Sequence, residues 1–193
     1  MTVDIAGFIT DMKAHAVDHG FHVHAERHFI ESFSLGQAWE VDLHPEEACE
    51  GPLEMLMVLE VDPRVILAFE DLMAQHHLEL DEEQDRQLEL PLFFKWALPP
   101  LPNPPDLLIL ATELAGVSGT TLPVEVSATD TFMSVTDPAR RSLSLVGRLD
   151  FRLRDMFLRE VNVCDVLECA HGLSMWLLEQ SEPWLEGSDA TGL

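Results

Sequence analysis

Apolar residues at Ile5, Phe8, Ile9, Met12 and Ala16 recur at the spacing of one helical face, and Gly20 follows as a residue suited to a left-handed helix end. The pattern predicts an amphipathic helix over about residues 3–19. The period then changes to two. Phe21, Val23, Ala25, Phe29, Phe33 and Leu35 alternate with His22, His24, Glu26 and His28, as in a half-buried strand. Trp39, Val41 and Leu43 alternate with Glu40, Asp42 and His44, and Leu53, Met55, Met57, Leu59 and Val61 mark a third strand. A helix followed by a three-stranded antiparallel meander is the expected beginning.

Asp62-Pro63 suits a helix cap and first position, and Val65, Phe69, Leu72 and Met73 give the next helix its apolar face. The acidic run from Glu79 to Asp85 reads as a solvated loop. Leu88 to Leu98 alternates again, with Pro91 placing that strand at a sheet edge or a bulge. Residues 99–105, Pro-Pro-Leu-Pro-Asn-Pro-Pro, form a stiff extended connector. Beyond it the pattern predicts a short helix over Asp106 to Ala115, a strand or bent pair over Leu122 to Val135, a strand over Leu143 to Leu153, and a last helix capped by Asn162 and running to about Gln180. The order α-β-β-β-α-β, proline connector, α-β-β-α has too few helices between strands for a doubly wound parallel sheet. The expected class is α+β, a mainly antiparallel sheet flanked by helices. Residues 1–193 read as one domain, with 99–105 as the joint if there are two halves.

From Leu88 onward, the strand, proline-rich turn, helix (Pro104 to Ala115), two antiparallel strands (Pro123 to Val135, Leu143 to Arg154) and long closing helix resemble the type III secretion chaperone-like fold and its YbjN-type relatives. Val166, Leu167, Leu173, Trp176 and Leu177, ahead of Gln180 and Pro183, are similar to that family's last helix. The resemblance covers about half the chain. It implies a small, acidic, often dimeric protein that binds other polypeptides and catalyses nothing.

Charge changes the picture most. Thirty-five acidic residues against 11 basic ones give a formal charge of -24, which opposes general attraction to nucleic acid or anionic lipid. Arg140, Arg141, Arg148, Arg152, Arg154 and Arg159 nevertheless supply six of those 11 basic residues within a short segment. Arg148, Arg152 and Arg154 are expected on one strand face, where a basic stripe fits the acidic surface of a second subunit. On the last helix Cys169 and Trp176 form a second apolar edge beside the main stripe. These five residues are the expected partner surface of a homodimer or polypeptide-binding protein.

Chemistry concentrates in five histidines, His15, His19, His22, His24 and His28. His22, His24 and His28 are expected on one strand face with Glu26, and an HxH pair beside a carboxylate is a recurrent transition-metal ligand set. His22 and His24 are the candidate ligands. Cys164, Glu168 and His171, at i, i+4 and i+7, offer a second such face. No phosphate-cradling glycine loop or nucleophile elbow is present, so no catalytic residue is assigned. Three cysteines without a CxxC pair argue against a disulfide framework and for a reducing, cytoplasmic setting. The apolar runs are too short to span a bilayer. The expected function is therefore non-enzymatic polypeptide binding, in the manner of a chaperone or adaptor. The alternatives are a metal-binding protein using the His15 to His28 cluster, and an acidic mimic of DNA.

Overall fold

The computed structural model describes residues 3–76, 81–134, 136 and 139–186. Its elements run α1 (Ile5–Asp18), β1 (Phe21–Ile30), β2 (Gln37–Pro45), a 3₁₀ turn (Glu46–Ala48), β3 (Glu54–Val61), α2 (Pro63–His76), α3 (Glu82–Arg86), β4 (Glu89–Leu101), α4 (Leu107–Ser118), β5 (Val124–Thr131), β6 (Arg140–Arg152), α5 (Leu153–Leu158) and α6 (Cys164–Leu185). The fold is the expected α+β. All six strands join one antiparallel sheet of order β1-β2-β3-β4-β6-β5, so strands from both sides of the proline segment share it.

Local chemistry explains most boundaries. Asp4 caps α1 by accepting from the Gly7 N–H at 2.8 Å, and Gly20, at φ 82°, turns the chain from α1 into β1. Asp106 caps α4 through the amides of Leu108 and Ile109. On β4, Leu90, Leu92, Phe94, Trp96 and Leu98 are buried, and the helices pack against this face. Phe8 of α1 meets Phe151 edge-on, and the Trp96 indole N–H donates to Ser174 of α6 at 2.8 Å. Gly147 in β6 leaves room for the buried Leu122, whose Cδ1 lies 2.8 Å from where a Cβ would stand. The opposite face is polar: Glu54, Arg148 and Asp150 are exposed, and Lys95 and Arg148 lie over the Phe93 ring at 5.4 and 5.7 Å.

Several expectations fail for identifiable reasons. The acidic run is helical over Glu82–Arg86, because Asp81 and Gln84 form a reciprocal capping box. Residues 79 and 80 of that run lie outside the described residues. Pro91 is in a central strand rather than at an edge: the β3 ladder ends at Leu59 opposite Leu92, one residue before the missing N–H matters. β4 runs on through Pro99 and Pro100 to Leu101, with a register shift against β6 between Leu98 and Leu101. β1 stops at Ile30, and the 31–36 turn closes with Leu35 at φ 57°. β6 ends at Arg152, so Arg154 lies in α5 and leaves the expected strand face; α5 ends on Arg159 in the left-handed region without a glycine to announce it. α6 begins at Cys164, whose N–H donates to Asn162 Oδ1, and continues past Gln180 to Leu185, with Pro183 in the last turn. Among the described residues no helix is long and apolar enough to cross a membrane.

Candidate metal centre

The five-histidine cluster separates into three groups. His15 lines a cleft of about 260 Å³ between α1 and the α5 region, and the His19 Nδ1–H donates to the His15 carbonyl at 2.8 Å. His28 stacks on Trp39 at 3.8 Å and bonds to Gln37. Only His22 and His24 bring ring nitrogens to a common donor.

A β-bulge causes this. His22 faces His44 and Val23 faces Leu43, but the next residue to face β2 is Ala25, opposite Asp42. His24 is the extra residue. From there the alternation is reversed: Glu26 pairs with Val41 and forms an ion pair with Lys13 of α1, while His28 joins Trp39. The expected face of His22, His24, Glu26 and His28 is thus divided between the two sides of the sheet, and the carboxylate expected beside the HxH pair is lost to it.

A thiol takes its place. The β2–β3 connection folds back over the corner of the sheet, held by the Glu46 N–H to the Gly20 carbonyl at 2.9 Å, the Gly51 N–H to the Ala48 carbonyl at 3.0 Å, and Glu47 to His171 Nε2 at 3.3 Å. This brings Cys49 Sγ to 3.0 Å from His22 Nδ1 and 2.8 Å from His24 Nε2. All three donor atoms lie within 4.8 Å of one another. The chain matches no protein-family model, and no curated protein or solved structure matches it. The functional reading therefore rests on this chemistry alone.

Two imidazoles and a thiolate suit zinc and copper, which accept nitrogen and soft sulfur together. Zinc bonds of ~2.3 Å to sulfur and ~2.0 Å to nitrogen at tetrahedral angles separate the donors by roughly 3.5 Å. The observed distances of 3.0 and 2.8 Å are about half an ångström or more tighter, so the two exposed imidazoles must open to admit the ion. Around the trio, Glu46 Oε1 lies 3.6 Å from His22 Nε2, on the ring nitrogen that does not face Cys49. A carboxylate on that side favours the tautomer with its lone pair on Nδ1. Asp42 is engaged elsewhere, accepting two hydrogen bonds from Arg27 at 3.0 and 3.2 Å.

His44 lies beside His24, with ring centroids 4.5 Å apart, and its buried Nδ1 has no hydrogen-bond partner among the described residues. Burial, and then the charge of protonated His24, hold the His44 pKa below that of an ordinary histidine; Asp42 and Glu54 oppose this without overcoming it. The folded chain therefore binds fewer protons here than the unfolded chain. Stability is full above the unfolded value of ~6.5 and falls as the pH drops through it toward the lowered folded value. Thermal unfolding of chelator-treated protein should show Tm falling below pH ~6.5, and His44→Gln should flatten part of that fall. Identical slopes in the two proteins would refute the assignment.

The remaining candidates are placed singly. His171 turns to Glu47 and the edge of Phe21 rather than toward Cys164 and Glu168. Cys169 is half-buried and donates to the Ser118 carbonyl at 3.5 Å, and burial raises its thiol pKa. Trp176 is half-buried against the core. Arg148 pairs with Asp150, and Arg152 with Asp85 and Glu89. Cys49 is the site residue the sequence reading missed: no spacing links it to an HxH pair 25 residues earlier, and only the folded-back turn does.

Proposed function

We propose that this protein binds a transition-metal ion of the zinc and copper class through His22, His24 and Cys49. The observation that carries the reading is the convergence of two imidazole nitrogens on one sulfur at 2.8 and 3.0 Å. Nothing in core packing requires it, since His22 and His24 are exposed and all three residues lie outside the buried cluster. The negative field of a chain with charge -24 favours a cation there over an anion.

Equilibrium dialysis against Zn²⁺ tests it. One ion per chain is expected in the intact protein. Cys49→Ser, and His22→Ala with His24→Ala, should each weaken binding at least tenfold, whereas His28→Ala should leave it unchanged. A chain that takes up no stoichiometric zinc, or whose affinity survives both ligand variants, would end the reading.

The polypeptide-binding reading keeps a different support from the one expected. Leu108 and Ile109 of α4 are 78% and 61% exposed, and Phe33 in the β1–β2 turn is 99% exposed. Apolar side chains so placed suit a partner surface, whereas Trp176 packs against the core and Arg148 and Arg152 of β6 already have carboxylates of their own.

A further inference from the structure

We infer that the His22–His24–Cys49 centre, on the reading that it binds metal, is an exchange site that captures a thiophilic d¹⁰ cation such as Zn²⁺ and passes it to an acceptor, and is neither a structural nor a hydrolytic centre.

Donor count comes first. Structural zinc sites are closed by four protein ligands, whereas three leave a coordination position open. Three donors converge here among the described residues. Of the neighbours, Asp42 is held by Arg27, Glu46 lies on the far nitrogen of His22, and His44, beside the His24 ring, is not among the converging donors.

Solvent access comes second. The His22 side chain is 53% exposed and His24 is exposed as well, so the open position faces water at a sheet corner. Metal-assisted hydrolysis gains from a water-excluding pocket with positioned dipoles. An incoming ligand gains from access.

Independence from the fold comes third. Phe21, beside His22 in sequence, and Leu43, which faces Val23 between the two histidines, are fully buried, and the Cys49 turn is fixed by its bonds to Gly20, Ala48 and His171. Metal-dependent domains form their ligand geometry only with the ion bound. Here protein contacts set that geometry, and removing the ion leaves the three donors in place.

Transfer then proceeds without redox change. A thiolate or imidazole of the acceptor donates a lone pair to the open position and forms a fourth metal–ligand bond. The metal–sulfur bond to Cys49 breaks, its electron pair returning to the sulfur, which takes the proton the acceptor's group released on binding. Further acceptor donors or water replace the two histidines in turn, and the metal leaves four-coordinate with its charge unchanged.

The test uses the full chain loaded with one equivalent of Zn²⁺ and mixed rapidly with a small thiol chelator in increasing excess. The release rate is expected to rise in proportion to chelator, at least fivefold over a tenfold range, because the chelator adds before the protein ligands leave. Stripped protein should keep its circular dichroism and cooperative unfolding, and His44→Gln should change zinc affinity less than threefold. A release rate independent of chelator, loss of fold on stripping, or a tenfold affinity loss in His44→Gln would each show a closed site and overturn the inference. Failure of the metal reading itself would be seen earlier, as no zinc loaded by dialysis.

Discussion

Replacing Trp96 with alanine is expected to cost about 3–5 kcal/mol of folding stability, the range for deleting a large aromatic side chain from a well-packed core. Trp96 is fully buried on a strand with neighbours on both sides, facing Met55 of β3 and Leu145 of β6. Its indole N–H donates to Ser174 Oγ at 2.8 Å, and that hydroxyl donates to the Ala170 carbonyl at 2.8 Å, so one side chain links the centre of the sheet to α6. Against a total stability of roughly 5–15 kcal/mol, the alanine variant should unfold at much lower denaturant or not fold at all. Trp96→Phe separates the contributions in part, because it keeps an aromatic ring in the core and gives up the hydrogen bond, worth about 1 kcal/mol, with one ring of the indole. Denaturant titrations of the two variants should therefore differ widely. Equal losses would show that the hydrogen bond, and not the packed ring, holds α6 to the sheet.

Arg152→Ala should be the most damaging change among the arginines. Asp85, near the end of α3, is 5% exposed, and its Oδ2 accepts from Arg152 Nη1 at 3.3 Å while its Oδ1 has no partner among the described residues. Removing the guanidinium leaves a buried carboxylate uncompensated. Breaking such a pair costs about 3 kcal/mol, the lower end of the usual range, because Arg152 is itself half exposed. Arg148 gives the contrast: its partner Asp150 is on the open face, and Arg148→Ala should cost under ~1 kcal/mol. Replacing Asp85 with leucine in the Arg152→Ala background should recover part of the loss. Similar costs for the two arginines would mean that Asp85 is better solvated than its burial suggests. A loss that grows on dilution would place Arg152 at a subunit contact instead.

Much of the architecture was legible along the chain because it depends on interactions between near neighbours. The period-3.6 and period-2 patterns, Gly20 at its positive φ, Asp62-Pro63 at the start of α2, and the alternation of Leu90 to Leu98 are all local, and they led to an α+β chain with the six strands in their places. The misses among the elements were local too. The charge of the acidic run reads as a loop, whereas Asp81 and Gln84 within it form the capping box that makes Glu82–Arg86 helical, and Arg159 takes a left-handed conformation without a residue type that signals one.

The metal-site candidate divided differently. His22 and His24 were legible as an HxH pair, and both still reach Cys49 although the bulge at His24 breaks the alternation beyond it. Their third partner was not legible. A single inserted residue, His24, reverses the side-chain alternation of β1, and no periodicity reveals a bulge because its cause lies in how β1 pairs with β2. Glu26 and His28 went to the helix side for that reason. Cys49 reached the histidines because Gly20, Gly51 and His171 hold the β2–β3 connection across the sheet corner, contacts whose partners are close in space and mostly distant in sequence. Arg152 followed the same rule: the sequence placed it on a strand among charges, and only packing showed that the carboxylate it neutralises is a buried one from α3. Element type and charge were thus set by short-range pattern, while the meeting of donor atoms was decided by register and turn geometry, which exist only once distant segments pair.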